Sequence, residues 1–254
     1  MSALICGSLA FDNIMVFEDR FDNHIMPEKI ALLNVSFLVP SLRKEYGGCA
    51  GNIAYNLQML GGDPIPMGTV GDDFGPYRAW MEKNSIRSEF IKIIPSTFTA
   101  QAYIATDLAD NQITFFHPGA MDHSIENDVT DVETPEIGII SPDGREGMLQ
   151  HAGEMYLAEI PFIFDPGQGL PMFGSDELKK FLKMATWVAV NEYEAMLMEE
   201  KLSMKRVEIA KEVGAYIVTK GAKGSEIYVD GEIISIPAVP AKGFCDPTGC
   251  GDAY

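Results

Sequence analysis

Positive charge is scarce in this chain. Its 254 residues carry 19 Lys and Arg against 37 Asp and Glu, a formal net charge of −18. That balance argues against nucleic acid or an anionic membrane as a partner, because both are bound through basic surface. A small anionic ligand stays open, since it needs only a local positive nest. Cysteine is also sparse. Cys6, Cys49, Cys245 and Cys250 are scattered, and no further Cys or His stands near the last two to complete a zinc set or a disulfide scaffold. No stretch approaches the ~18 apolar residues of a membrane span. The opening Met1-Ser2-Ala3-Leu4-Ile5-Cys6-Gly7 has neither the basic start nor the apolar length of a signal peptide. Internal repeats, low-complexity runs and clear linkers are missing too. A cytoplasmic protein without nucleic-acid or membrane partners is expected.

Apolar residues make up 46%, enough for a sizeable core and for one large α/β domain over residues 1–254. Apolar runs at Ala3–Leu9, Phe11–Phe17, Asn34–Val39, Pro64–Val70 and Glu89–Ile94 read as strands. Ile53, Leu57 and Leu60 mark one face of a helix stopped by Gly61-Gly62, and Tyr77–Lys83 reads as a short helix. Thr99–Thr106 and Gln112–Phe116 alternate and predict a hairpin. From Ile137 onward strands and helices take turns. The strands are Ile137–Ile140, Phe162–Phe164, Trp187–Val190 and Tyr216–Thr219; the helices are Arg145–Leu157, Ser175–Met184 and Glu192–Val213. This rhythm indicates a parallel sheet with helices on its faces. Glu226–Val229 and Glu232–Ile236, joined at Asp230-Gly231, form a tight hairpin. The β-rich excursions at about 11–46 and 97–120 are placed to cover a ligand site as a lid.

Several polar residues fall at or just after the carboxyl ends of these strands, the edge where open α/β sheets bind ligands. Asp12 could hold vicinal hydroxyls there, and a surface turn residue is the plainer alternative. Asn191 and Glu194, three apart, suit a polar pair ordering water around magnesium and equally a helix capping box. Thr219-Lys220-Gly221-Ala222-Lys223-Gly224 offers backbone N–H groups to phosphate, or simply turns the chain; it lacks the G-K-[ST] ending of a P-loop. Asp165-Pro166-Gly167-Gln168 ends another strand. Gly47-Gly48-Cys49-Ala50-Gly51-Asn52 permits close backbone approach to a ligand, with Asn52 at the helix start. Asp246-Pro247-Thr248-Gly249-Cys250-Gly251-Asp252 places two glycines around one small residue, followed at once by a carboxylate. Such a turn at a helix start is an anion nest, and the carboxylate can take a proton from an attacking hydroxyl.

Taken in order, these signatures resemble the ribokinase-like (phosphofructokinase B) carbohydrate kinases over the whole chain. They are Gly47-Gly48…Gly51-Asn52, Val70-Gly71-Asp72-Asp73-Phe74-Gly75, Asn191-x-x-Glu194, Thr219-Lys220-Gly221-x-x-Gly224 and Asp246–Asp252. Val35–Val39 and Phe116-His117-Pro118-Gly119-Ala120-Met121 are similar to bacterial, mycobacterial-type adenosine kinases within the family. The resemblance implies a three-layer α/β/α sandwich with a small β lid, and transfer of the γ-phosphoryl group of ATP to a ribose 5′-hydroxyl. It implies Asp252 as general base and the N–H groups of Gly249, Cys250 and Gly251 as the anion hole. Asp12, Gly48 and Asn52 would hold ribose hydroxyls, with Ser36, Phe116, Met121 and Gln168 around the base. Asn191 and Glu194 would order Mg2+ and phosphate, Glu194 through water. Thr219, Gly221 and Gly224 would line ATP, and Asp246 is a candidate K+ ligand. A homodimer through the lid, carrying Phe115 and Phe116, also fits.

Ala102 stands where those adenosine kinases place an aromatic, and Gly169 where they have a second glutamine. A ribose or other sugar kinase is therefore the alternative within the family. Relatives continue beyond the Asp252 region, so the C-terminal part of the fold is expected to be missing. A nucleoside-binding protein without catalysis is the alternative of another class.

Overall fold

The computed structural model describes residues 2–25, 32, 34–240, 243 and 249–254. In chain order the elements are β1 (Ser2–Cys6), β2 (Ala10–Val16), β3 (Ser41–Gly47), α1 (Cys49–Met59), β4 (Asp63–Val70), α2 (Gly75–Lys83), β5 (Ile91–Ile93), β6 (Ala100–Thr106), β7 (Gln112–His117), β8 (Ile137–Ile140), α3 (Arg145–Leu157), β9 (Phe162–Phe164), α4 (Ser175–Met184), β10 (Trp187–Asn191), α5 (Glu192–Leu202), α6 (Arg206–Ile209), β11 (Ala215–Thr219), β12 (Ser225–Val229) and β13 (Glu232–Ile236). Nine strands form one sheet in the order β13-β12-β11-β10-β9-β8-β1-β4-β5, and four form a second, β3-β2-β6-β7.

From β11 to β5 neighbouring strands run parallel; β12 and β13 return antiparallel at the edge. Parallel strands need crossover helices, and these cover both faces. Alternate side chains of β1 go to opposite faces. Leu4 and Cys6 join a core with Met148 and Met155 of α3, Phe181 of α4 and Met198 of α5. Ile5 joins Ala50 and Ile53 of α1 and Tyr77 and Met81 of α2. This is the ribokinase-like three-layer sandwich with its second, small sheet. Among the described residues, no helix is long and apolar enough to cross a membrane.

Some expected elements differ. The strand expected at Asn34–Val39 is irregular, and its neighbour Ser41–Gly47 pairs with β2 instead. Pro40 has no N–H to give a ladder, and Phe37 is held by edge-on ring contacts with Phe17 at 4.9 Å and Phe21 at 5.2 Å. The first strand closes at Cys6, so Asp12 lies inside β2, not after β1. Leu60 is 82% exposed and stands past the end of α1; Gly61, at φ 81°, turns the chain away. The long helix expected over Glu192–Val213 breaks at Ser203, whose φ of 53° is left-handed. Short 3-10 turns at Gly119–Glu126 and Gly167–Met172 were not expected. They follow from Pro and Gly clusters that hold no apolar period.

Candidate active site

The parallel strands end along one edge, and the loops leaving them make a cleft of about 830 Å³. Its walls include Ser8 after β1, Asp143 after β8, Asp165 and Gln168 after β9, Asn191 at the end of β10 and Thr219 at the end of β11. The small sheet contributes Asp12, Ala102, Thr114 and Phe116, and the turn at 249–254 contributes Gly249, Gly251 and Asp252.

The centre is a contact across 200 residues. Asn52, on the first turn of α1, donates its Nδ2–H to Oδ2 of Asp252 at 2.8 Å. Gly249 lies against this pair in a left-handed conformation (φ 76°), and a Cβ there would sit 3.4 Å from Asn52 Nδ2. Ala253 N–H donates to the Gly249 carbonyl at 3.0 Å, closing the turn on which Asp252 stands. Burial raises the Asp252 pKa, and hydrogen bonds from Asn52 and Cys49 pull it back only in part.

Gly48 fixes the approach of α1. It has φ 86°, and a Cβ would lie 2.5 Å from the Ser8 carbonyl oxygen. Gly47 is less strictly required: a Cβ there would meet Asp12 Oδ2 at 2.4 Å, the tip of a side chain that can turn aside. The absence of side chains at 47 and 48 thus lets the Asp12 carboxylate and the start of α1 share one wall.

Asn191 and Glu194 form the capping box. Glu194 N–H donates to Asn191 Oδ1 at 2.8 Å, Asn191 N–H to Glu194 Oε2 at 2.8 Å, and Asn191 Nδ2–H to Glu194 Oε1 at 2.7 Å. Both residues also line the cleft. Asp165 is pushed up to about 7 by burial, and then by the negative charges of Glu194 and Asp252. Burial likewise raises Glu194. Asp165 thus feels the negative charge of two other carboxyls at this end of the cleft, a field that a divalent cation with phosphate would neutralise. The described residues contain no group of three metal-capable side chains, so a cation here would be held through water and ligand oxygens.

Of the residues expected at the site, Asp12, Gly48, Asn52, Phe116, Met121, Gln168, Asn191, Glu194, Thr219, Gly249, Gly251 and Asp252 line this single cleft. Ser36 does not; it lies exposed on the irregular segment before β3. Cys250 is exposed on the 249–254 turn, outside the lining. Gly221 and Gly224 also lie outside it. Gly224 has a packing reason for being glycine: φ is 87°, and a Cβ would lie 1.9 Å from the Ile236 carbonyl oxygen. Asp246 falls outside the described residues. Sequence reasoning passed over Cys49, Met172 and Asp143, which line the cleft as well. For Asp143 a signal existed, since Ser141-Pro142-Asp143-Gly144 directly follows an apolar strand.

Comparison with known proteins agrees with this architecture. A nucleoside kinase of Burkholderia thailandensis in complex with inosine superposes with a TM-score of 0.88 at 49% identity, covering 99% of this chain and 80% of that one. The same enzyme in complex with ADP-inosine gives 0.85 at 50%, over 99% and 79%. A nucleoside kinase of Methanocaldococcus jannaschii is 34% identical over 229 residues, which is 89% of this chain and 75% of that protein. Residues 13–254 match the family described as pfkB family carbohydrate kinase. The chain belongs to the pfkB family of carbohydrate kinases, phosphotransferases with an alcohol group as acceptor.

Proposed function

We propose that this protein is an ATP-dependent nucleoside kinase that transfers the γ-phosphoryl group to the 5′-hydroxyl of adenosine or a related purine nucleoside. The observation that carries this reading is the Asn52–Asp252 pair beside a glycine turn, set in a cleft shared with Asp12, Asn191 and Thr219. The relatives named nucleoside kinases, one of them with inosine bound, support the substrate class. The chain acts as one domain, with the small sheet as a lid over the acceptor.

Asp252 takes the proton of the attacking hydroxyl. Burial makes its carboxylate a stronger base than a solvated one, and the Asn52 amide aims it. The N–H groups of Gly249, Cys250 and Gly251 face the charge that develops on the transferred group. Asp12 and Asn52 hold ribose hydroxyls, and Gly48 lets the backbone come close to them. Phe116, Met121 and Gln168 surround the base. Asn191 and Glu194 would hold Mg2+ through ordered water, and the ion would supply positive charge to offset that of the phosphates. Thr219 lines the nucleotide.

Asp252→Asn keeps the size and the partner of this group but removes the base. The expected result is a fall in kcat of about 10²- to 10⁴-fold with nucleoside binding retained by calorimetry. Equal loss of binding and turnover would sink the assignment. A panel of adenosine, inosine and ribose settles the acceptor class; phosphorylation of ribose alone would reverse it.

A further inference from the structure

The cleft face of the small sheet changes character from one end to the other. Asp12 of β2 stands beside Ala102 of β6, and Ala102 beside Phe116 of β7. Ile104 and Thr114 form the next rung, and Gln112 lies one rung further out. All six residues line the cleft. On β7 the lining residues 112, 114 and 116 are two apart, as residues on one face of a strand must be. Their neighbours 113, 115 and 117 are absent from the lining. The side chains of Gln112 and Thr114 are exposed, so a ligand in the cleft can reach them.

Of these six, only Asp12, Gln112 and Thr114 are polar. A carboxylate marks one end of the face, a polar pair marks the other, and Ala102, Ile104 and Phe116 lie between. From Asp12 to Thr114 is two strands across and one rung along, roughly 12 Å between Cα positions. A ligand that fills this span has hydroxyls at one end, a flat apolar middle and a polar edge at the other. The pair at the far end is already oriented. Gln112 Nε2–H donates to Thr114 Oγ1 at 2.8 Å. A hydroxyl that accepts still has its own hydrogen to donate, and an amide that donates still has its oxygen to accept. Thr114 O–H and Gln112 Oε1 therefore present a donor and an acceptor side by side, and neither side chain has another side-chain hydrogen bond among the described residues.

We propose that Thr114 and Gln112 read the N1 and C6 edge of the purine, the hydroxyl donating to its acceptor and the amide oxygen accepting from its donor. They are specificity-determining residues, outside the phosphoryl-transfer machinery. Adenine offers N1 as acceptor beside a 6-amino donor. A 6-oxopurine offers the reverse order, the 6-oxygen as acceptor beside N1–H. Both complement the pair, so adenosine and inosine are accepted alike. Ribose has no atom that reaches this rung when its hydroxyls are on Asp12. A site that hydrogen-bonds one group discriminates against analogues without it.

This inference rests on the nucleoside kinase reading, and calorimetric titration with adenosine, inosine and purine riboside, which lacks the 6-amino group, separates the two. Thr114→Val keeps the shape and β-branching of the side chain and removes its hydroxyl. It is expected to raise the Kd of adenosine and inosine by about 3- to 10-fold, while Thr114→Ser stays within about twofold of the parent. In the parent, adenosine is expected to bind about 3- to 10-fold more tightly than purine riboside; in Gln112→Leu that advantage should vanish, because the group that recognises the 6-amino donor has gone. A merely structural role would weaken both nucleosides equally and leave their ratio unchanged. Valine at the parent Kd, or an undiminished ratio in Gln112→Leu, would overturn the proposal. Should either variant not fold, the unaltered protein decides: adenosine must bind more tightly than purine riboside and inosine more tightly than 1-methylinosine, and equal affinities overturn it. A parent that binds nucleosides while the variants change nothing defeats this inference alone. A parent that binds no nucleoside defeats the nucleoside kinase reading.

Discussion

In the nine-stranded sheet, Phe164 and Val188 have no exposed surface, while in the four-stranded sheet Phe115 keeps 71% of its surface exposed and Leu42 66%. Both sheets use short strands with β-forming residues. The difference lies in what covers them. The large sheet is packed on both faces, so β8 and β9 read Ile-Gly-Ile-Ile and Phe-Ile-Phe with no polar alternation. The small sheet has one covered face, where Phe11 packs against Tyr46 and Tyr77, and one open face. The cleft lies between strands packed on both faces and a sheet packed on one face only.

The strongest way to sharpen this contrast is in the core. Phe164 stacks on Phe181 at 4.1 Å between ring centroids, with an interplanar angle of 7°. Phe164→Ala should destabilise the protein by about 3–5 kcal/mol, measured by denaturant titration. A smaller effect on the small sheet is expected at Asp107. Its carboxylate accepts the N–H groups of Phe21 at 2.9 Å, Ala109 at 2.8 Å and Asn111 at 2.9 Å, tying the β6–β7 loop to the segment after β2. Burial alone would raise its pKa, but the Asn111 side chain and these three N–H groups outweigh it and hold the carboxyl well below its usual value. A lowered carboxyl pKa stabilises fully above the unfolded value of about 3.9 and loses that stabilisation as pH falls towards the folded one. In Asp107→Asn, amide exchange at Phe21, Ala109 and Asn111 should accelerate while that of β8 and β9 stays unchanged. Acidification below the ordinary Asp range should loosen these amides in the parent but not further in the variant. Smallest of all, Phe115→Ser should shift stability by no more than about 0.5 kcal/mol. A loss comparable to that of Phe164→Ala would show that the open face is covered in solution.

The same contrast explains what the sequence made legible. The central strands β8 to β11 could be read because their apolar residues pack between helices on the two faces, and the resulting pattern has one cause. The β6–β7 hairpin was readable from alternation for the complementary reason. Asn34–Val39 misled because Phe37 is held by ring contacts rather than by a ladder, while Leu38 stays exposed. Ser41–Gly47 was overlooked because a strand with one exposed face can be as polar as Ser-Leu-Arg-Lys-Glu-Tyr. In the site, motif residues such as Asn52, Asn191 and Asp252 carried their own spacing. Asp143 carried only its place in Ser141-Pro142-Asp143-Gly144 just after an apolar strand, a weaker signal than a spaced motif.

The bond from Asn52 to Asp252 has a consequence for how this protein must be assayed. It joins the start of α1 to a turn that follows, in chain order, all thirteen strands of the described residues. A chain that has formed its sheets but has not docked residues 249–254 would show native-like secondary structure and a packed core, and, with Asp252 as the proposed base, it would transfer nothing. Turnover is therefore a stricter gauge of complete folding than circular dichroism. During refolding, recovery of activity should lag recovery of ellipticity by the time residues 249–254 take to seat.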